Sequence, residues 1–388
     1  MLAQGVAITH VTVVDVERGR LLADRTVLIS GRHIVGIDSG VVEGRPAGTQ
    51  AIDGTGRFLI PGLWDMHVHL AGDTAAAARM LGWGITGARD MGGGLDAILA
   101  LRAGIRAGRL TGPRLIVAGP ALRGPRSTSD TGFGVIRTES EARRVVDSLA
   151  ERGVDFIKVH EDLSPVAWFA IAHAARARHL SVAGHVPASL SPEVVADSGA
   201  RSIEHLEFVP DRCLALFDST ARATAATPPG CSQPDVRRLL EHLHVDGVWL
   251  DPTIGSFRGW APRQWPSIEG GFRDLTPTII AVGLPVLAGT DYGDPRFVAG
   301  EGLHDEIALL VLSGFSPLDA LRAATSNPAR FLGLSDSLGV VKPGAVADLV
   351  LLEGNPLTDI RNTRRITAVI QAGTFISRSV LDSLQSAR

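Results

Sequence analysis

The chain is poor in cysteine and has no long apolar run. Its 388 residues include two cysteines, Cys213 and Cys231, which are too few for a disulfide framework, so we expect free thiols. No apolar stretch approaches the roughly 20 residues of a membrane span, and no basic segment followed by an apolar one opens the sequence. These absences argue against a membrane protein and predict a cytoplasmic location.

The chain also lacks blocks of like charge. Its net charge is -3, with 20% charged and 45% hydrophobic residues, a composition typical of globular proteins. Nothing in this pattern favours a nucleic-acid partner or an anionic membrane surface. We therefore expect a small-molecule substrate. The composition is also compatible with a homo-oligomer.

Lysine is scarce as well. Of 38 basic residues, only Lys158 and Lys342 are lysine. Arginine stays protonated in proteins, whereas a lysine amine can lose its proton and react. A lysine in so arginine-rich a chain is therefore a candidate for chemistry that needs an amine.

Both ends of the chain contain short β-rich runs. Examples are "VAITHVTVVDV" and "RTVLISGRHIVGI" near the start and "GAVADLVLLEGNP" and "RRITAVIQAGTFIS" near the end. Such runs, separated by turns, predict a small β-structure. We expect residues 1–60 and 338–388 to form one composite β-sandwich domain.

The middle of the chain alternates apolar strands with helices. Runs such as "DFIKVHE", "LSVAGHVP" and "RSIEHLE" are separated by stretches with apolar residues three and four apart. Eight such units within residues 61–337 predict an α/β fold, a (β/α)8 TIM barrel, whose chemistry lies at the carboxyl ends of its strands. Residues 206–246 are longer than one unit needs, and we interpret them as an insertion at the rim. A lid and a surface excursion are equally consistent with it.

Metal-binding residue types follow the predicted strands. "LWDMHVHL" places His67 and His69 two apart where a strand ends, and the alternation of a strand directs both imidazoles to one point. The residues that end later strands are Lys158, His185, His205 and Asp291. A cluster of this composition at one edge of a barrel predicts a metal site.

These motifs resemble the amidohydrolase superfamily, in particular its imidazolonepropionase-like and Xaa-Pro dipeptidase-like branch. The resemblance rests on "IPGLWDMHVHL", "GITGARDMGG", "DFIKVHEDLS", "VAGHVP", "RSIEHLE" and "AGTDYG", and it covers nearly the whole chain. It implies two divalent metal ions, most often zinc. By this resemblance the first ion is held by His67, His69 and Asp291, and the second by His185 and His205, with a CO2-carboxylated Lys158 as the bridge. An anionic bridge is what two neighbouring cations require.

The activity that the resemblance implies is hydrolysis of an amide bond, peptide-like or in an N-acyl amino acid, by a hydroxide that bridges the two metals. Asp291 would carry the proton from the attacking water to the leaving group. A lactone, ester or phosphotriester hydrolase would use the same site, and this alternative stays open. Deaminases of the superfamily usually have a glutamate where this chain has Ala188. A metal-free structural paralogue typically lacks ligands that are present here.

Two residues next to these ligands are candidate substrate contacts. His160 lies two positions after Lys158 and therefore on the same side of its strand, where it could contact substrate or orient a ligand. Tyr292, the only tyrosine, directly follows Asp291 and could donate to an oxyanion or narrow the pocket. His304 fits a rim helix better than the metal site.

The loops after the third and seventh strands contain further candidates, Arg126 and Arg258, near Trp260 and Trp265. Arginine matches a carboxylate, and tryptophan provides a flat apolar wall. We therefore expect an amide substrate with a carboxylate-bearing or an aromatic end. A solvated arginine-rich face is the alternative for each arginine taken alone.

Overall fold

The structure is a computed structural model, and it describes residues 5–39, 48–125, 133–209, 213, 231–293 and 298–387. Over these residues the chain has an α/β fold with parallel sheets and a separate sheet built from both chain ends. The strands are β1 (Val6–Asp15), β2 (Arg20–Ser30), β3 (His33–Ser39), β4 (Gln50–Asp53), β5 (Phe58–Pro61), β6 (Leu63–Val68), β7 (Ile85–Asp90), β8 (Arg114–Val117), β9 (Ala121–Arg123), β10 (Phe133–Val135), β11 (Phe156–Val159), β12 (Ser181–Gly184), β13 (Ala200–Glu204), β14 (Trp249–Asp251), β15 (Leu349–Leu352), β16 (Ile366–Gln371) and β17 (Thr374–Ser377).

Within the described residues, all the α-helices except the last lie in the middle region of the chain. They are α1 (Thr74–Gly82), α2 (Leu95–Arg106), α3 (Glu139–Glu151), α4 (Pro165–Ala177), α5 (Pro192–Asp197), α6 (Gln233–Val245), α7 (Phe257–Trp260), α8 (Trp265–Val282), α9 (Glu301–Leu312), α10 (Pro317–Ala323), α11 (Ser326–Phe331) and α12 (Arg378–Gln385). Several begin at a serine or threonine cap; Thr138 and Glu141, for example, form a capping box at α3. In the part of the chain that the structure describes, no helix is long and apolar enough to cross a membrane.

The two chain ends pair in one mixed sheet. Within the described residues its eight strands have the order β17-β16-β15-β5-β1-β2-β3, and β4 also pairs with β1. Strand β5 joins the two ends, because it pairs in parallel with β1 and antiparallel with β15. Leu59 lies opposite Val13 on one side and opposite Leu351 on the other, and all three are fully buried. The apolar alternation of both ends thus becomes a shared core.

Two parallel sheets occupy the middle of the chain. Their orders are β6-β7-β8 and β10-β9-β11-β12-β13-β14. These strands are short, and β6, β7 and β11 are buried along their whole length, which agrees with their mainly apolar sequences. Parallel strands place their carboxyl ends at one edge, so the polar residues that end them are brought together there.

The last predicted strand of this region, "LPVLAGTDYG", is not a regular strand. The stretch 285–292 instead makes single bridges to β14 and β6. The backbone N–H of Leu287 donates to the oxygen of Leu250 at 2.7 Å, and that of Met66 donates to Ala288 at 2.9 Å. The stretch therefore lies between the two parallel sheets and brings Asp291 to the end of β6.

The final helix, α12, packs against β16 and β17 of the terminal sheet and against α1 of the middle region. The side-chain amide of Gln385 in α12 donates to the oxygen of Gly82 in α1 at 2.9 Å. A β-carbon at Gly82 would lie 3.0 Å from Gln385, so the small residue allows this close approach. This helix, which lies within the segment 338–388 that we predicted as part of the β-sandwich, thus contacts the first helix of the middle region.

The expectation of free thiols is wrong. Cys213 and Cys231 are joined by a disulfide, and both are fully buried. The fold brings their Cα atoms to 5.2 Å, within the range that a disulfide requires, which the sequence separation of 18 did not reveal. Within the predicted insertion 206–246, α6 covers the last part, and residues 210–212 and 214–230 lie outside the described residues.

Candidate metal centre

The six predicted ligands converge at the carboxyl edge of the parallel strands. Asp291 Oδ1 lies 3.3 Å from His67 Nε2 and 3.2 Å from His69 Nε2. The ring centroids of His67 and His205 are 4.9 Å apart, and those of His185 and His205 are 4.8 Å apart. Lys158, in β11, is fully buried and interacts electrostatically with His67, His69, His185 and His205.

Each of the four histidines has an oxygen partner at Nδ1. The partners are Glu204 for His67 at 3.0 Å, Gly92 O for His69 at 3.0 Å, Glu207 for His185 at 2.6 Å and Thr253 for His205 at 2.7 Å. A carbonyl or a carboxylate oxygen can only accept, so Nδ1 of His67 and of His69 carries a proton. Such partners fix the orientation of an imidazole, as they do for histidines that bind metals.

His67 therefore presents a nitrogen lone pair to Asp291. Burial, followed by the nearby charge of Lys158, holds the pKa of His67 well below its usual value, so the ring is neutral with its proton on Nδ1. Its Nε2 and the Asp291 carboxylate are both electron-rich, and at 3.3 Å they repel each other unless a cation lies between them. The arrangement thus has the form of a cation site.

Three buried polar atoms of this cluster make no hydrogen bond to any residue that the structure describes. They are His67 Nε2, Asp291 Oδ2 and Lys158 Nζ. A buried polar atom without a partner costs about 1–3 kcal/mol. Imidazole nitrogen and carboxylate oxygen are zinc ligands, and the donor atoms of His67, His205 and Asp291 all lie within 4.8 Å of one another. The residues present therefore fit a divalent metal ion.

Lys158 has the surroundings of a reactive amine. Burial lowers its pKa, although the carboxylates of Glu204 and Asp291 oppose this effect. Gly184, on the neighbouring strand, leaves room for it, because a β-carbon there would lie 3.1 Å from Lys158 Cδ and 2.2 Å from the oxygen of Val159. The neutral form of an amine is the form that reacts with CO2.

The backbone is strained at three positions of the cluster. His205, Thr253 and Asp291 have φ angles of 59°, 44° and 55°, in the left-handed region that non-glycine residues rarely adopt. Such conformations persist where surrounding contacts impose them, and they occur often at functional sites. Here they turn the chain sharply at the ends of β13, β14 and the stretch 285–292.

A layer of buried charge lies below the cluster, and our sequence analysis missed it. Arg89 in β7 donates to both carboxylate oxygens of Glu204, at 3.0 and 2.8 Å, and lies 3.3 Å from Asp251. Asp65 accepts hydrogen bonds from the backbone and hydroxyl of Thr290. Burial raises the pKa of Asp65 to about 7 and raises that of Asp251 well above its usual value. The signal that could have found this layer is charge inside otherwise apolar strands.

A cavity of about 800 Å³ opens over the cluster. The residues that line it are His69, Ala121, Phe133, Lys158, His160, Glu161, His185, His205, Leu206, Glu207, Val209, Phe257, Trp260, Asp291 and Gly293. His160 is therefore in the cavity wall, with Nδ1 2.7 Å from a Glu161 oxygen. Hydrogen bonds from His160 and His185 outweigh the burial of Glu161 and hold its pKa below the usual range.

The other predicted substrate contacts are placed differently. The side chain of Tyr292 packs against the hydrophobic core. The guanidinium of Arg258 lies over the ring of Trp265, 4.7 Å from its centroid. No arginine lines the cavity among the residues that the structure describes, and Arg126 lies outside those residues. His304 lies in α9 and bonds Thr363 and the oxygen of Trp83, away from the cluster.

Comparison with known proteins agrees with this geometry. The model of the Amidohydrolase family matches residues 58–376. Ochratoxinase of Aspergillus niger is 25% identical over 370 residues, which cover 78% of this chain and 72% of that protein. Imidazolonepropionase of Deinococcus radiodurans is 26% identical over 381 residues, covering 90% of this chain and 91% of the relative. The crystal structure of a putative prolidase from Bifidobacterium longum superposes with a TM-score of 0.78 at 25% identity, over 100% of this chain and 99% of that one.

The chain belongs to the Amidohydrolase family. It is an enzyme of the hydrolase class, as its relatives with named activities are.

Proposed function

We propose that this protein is a binuclear metal-dependent hydrolase that cleaves an amide bond in a peptide-like or N-acyl amino acid substrate. The observation that carries the proposal is the convergence of His67 Nε2, Asp291 Oδ2 and Lys158 Nζ in one buried cluster without hydrogen-bond partners among the described residues. The fold we infer is a (β/α)8 barrel, residues 61–337, with a β-sandwich domain from residues 1–60 and 338–388. The bonds of the stretch 285–292 to both neighbouring strands support closure of the barrel.

The proposed ligand set follows the geometry of the cluster. His67, His69 and Asp291 would hold one divalent ion, and His185 and His205 a second, with zinc as the metal. Lys158, carboxylated by CO2, would join them. The burial of its amine, the room left by Gly184 and the need of two cations for an anionic bridge support this assignment.

The residues of the chain have distinct proposed roles in the reaction. Bound divalent ions supply Lewis acidity, which activates water and polarises a carbonyl oxygen. The Oδ2 atom of Asp291 has no hydrogen-bond partner among the described residues. In the proposed reaction it accepts a proton from water and returns it to the leaving nitrogen. His160 lies in the cavity wall beside His185, with ring centroids 4.3 Å apart, where it would contact the substrate.

The decisive experiment compares the two lysines of the chain. Lys158→Ala should lose most of the bound metal and the activity together, and short carboxylates should restore part of both. Lys342→Ala is the matched control, because Lys342 Nζ donates a hydrogen bond to the oxygen of Ser335 and does not line the cavity. Metal content measured by mass spectrometry and kcat/KM are the readouts. A Lys158→Ala protein with full metal content and activity would rule out the bridge.

A substrate screen tests the reaction. The metal-replete protein should hydrolyse N-acyl amino acids faster than lactones, esters or phosphotriesters, and a reversed order would establish the alternative reaction. Equal kcat/KM for an N-acyl amino acid and its amide-capped form would refute recognition of a carboxylate. A ratio of metal to protein near zero after expression in metal-replete medium would favour the metal-free structural paralogue instead.

The cytoplasmic location and a homo-oligomeric state stay predictions. The disulfide between Cys213 and Cys231 is of a kind that usually persists in oxidising compartments. A fractionation experiment with the full-length gene product would decide the location.

A further inference from the structure

Five aromatic rings form a continuous row along the cavity. In order they are Phe133, His160, His185, His205 and Trp260, which we call the ring row. Successive centroids are 5.7, 4.3, 4.8 and 5.2 Å apart. All five residues line the cavity. The two proposed ligands of the second metal are therefore in the middle of the row, and each end is an apolar ring.

The two ends come from different parts of the chain. Phe133 begins β10, whereas Trp260 ends α7. Phe257, at the start of α7, packs edge-on against Trp260 with a centroid separation of 5.9 Å. The cation of Arg123 lies 4.5 Å from the centre of the Phe133 ring. Each terminal ring thus has a neighbour of its own, and Phe257 also lines the cavity.

Both terminal rings expose apolar surface to the cavity. Trp260 is 48% exposed, and Phe133 is partly buried. An exposed tryptophan in a cavity contributes little to the stability of the fold, but it offers a large flat surface to a ligand. Among the described lining residues the aliphatic side chains Leu206 and Val209 add to the apolar surface.

We infer that the substrate is an amide with an aromatic group on each side of the scissile bond. The inference rests on the proposed function, because that function places the carbonyl over the middle of the ring row. The two substituents of the amide then extend in opposite directions along the row. One contacts Phe133, and the other contacts Trp260. Phe133 and Trp260 are therefore specificity-determining residues for the two halves of the substrate.

A crossed substrate set tests this inference. The four compounds are N-acetyl-alanine, N-benzoyl-alanine, N-acetyl-phenylalanine and N-benzoyl-phenylalanine, which share the carboxylate and differ only in their rings. Burying a phenyl group in an apolar pocket increases kcat/KM by about tenfold to a hundredfold. We expect such an increase for each ring in the native enzyme. We expect Phe133→Ala to abolish one increase and Trp260→Ala the other.

The controls separate a specificity role from a structural one. Trp260→Phe should keep most of the preference. Phe169→Ala should leave all four rates unchanged, because Phe169 is an exposed aromatic residue of α4 and does not line the cavity. Four rates within threefold of one another in the native enzyme would overturn the inference. Equal losses for all four compounds in the Ala variants would also overturn it.

A binding measurement distinguishes failure of this inference from failure of the proposed function. Calorimetry with the metal-loaded protein compares benzylphosphonate with methylphosphonate, neither of which needs to be hydrolysed. A benzyl preference of about tenfold that is lost in Phe133→Ala or Trp260→Ala supports the ring row even if none of the four amides is cleaved. Equal affinities for the two phosphonates contradict it, even if the amides are cleaved.

Discussion

The Nδ1 atom of His67 lies 3.0 Å from the Oε2 atom of Glu204, and both side chains are fully buried although 137 positions separate them. Glu204 is in turn held by two hydrogen bonds from Arg89. A carboxylate behind a metal-binding histidine fixes the ring and increases its basicity. In the proposed metal site, Glu204 would therefore position His67.

Replacing Glu204 by glutamine should weaken metal binding. The amide keeps the shape but loses the charge, and we expect about a tenfold to hundredfold lower affinity for zinc in chelator competition. Arg89 also loses its charged partner, so the free energy of unfolding should fall. Glu353→Gln is the control, because Glu353 pairs with Arg365 at the surface. An unchanged zinc affinity in a folded Glu204→Gln protein would contradict the assignment.

Replacing Asp291 by asparagine should remove the proton carrier and keep the backbone. Asparagine tolerates the left-handed conformation that Asp291 adopts, so the fold should be preserved. We expect kcat to fall by about a hundredfold to ten-thousandfold, with most of the fall in kcat and little in KM. Asp305→Asn, at an exposed pair with Arg364, serves as the control. A decrease below threefold would exclude Asp291 as general acid and base.

His304 should make the protein less stable in acid. Burial lowers its pKa to about 4, against 6.5 in the unfolded chain, so the unfolded state binds a proton first as the pH falls. The stability that the neutral His304 contributes is fully present above pH 6.5 and is lost as the pH falls through 4. The loss in the free energy of unfolding is at most about 3 kcal/mol.

The measurement is urea unfolding of the native protein and of His304→Gln between pH 7 and pH 4. The variant should be less stable at pH 7, because the hydrogen bonds to Thr363 and to Trp83 are disturbed. The difference in unfolding free energy between the two proteins should shrink toward pH 4. A difference that is constant over this range would show that His304 does not titrate in this way.

The disulfide should be detectable and stabilising. Protein produced under oxidising conditions and denatured without reductant should show no free thiol, and two after reduction. The double variant Cys213→Ser, Cys231→Ser should lose about 3 kcal/mol of unfolding free energy, as expected for a closed loop of this length. Two free thiols in the oxidised protein would restore the interpretation that we made from the sequence.

Much of the candidate site was predictable because it depends on local periodicity. His67 in β6 and His69, directly after it, follow the alternation of one strand, and parallel strands bring Lys158 and His205 to the same edge. The rarity of lysine distinguished Lys158. The substrate contacts were less predictable: His160 follows the same alternation and lines the cavity, whereas Arg258 lies in the single-turn helix α7 and Tyr292 in the irregular stretch 285–292, too short or irregular for a period to direct a side chain.

The sequence by itself determined the alternation of strands and helices and the residue types that end the strands. It also determined that both ends of the chain form β-strands, although not the order in which those strands pair. Only the tertiary structure decided that Arg89 and Glu204 meet below the cluster, that Cys213 and Cys231 bond, and that Phe133 and Trp260 terminate one row of rings. The physical reason is the distance along the chain over which each effect acts. Periodicity acts over neighbouring residues, whereas these contacts join segments that are brought together only when the strands pack.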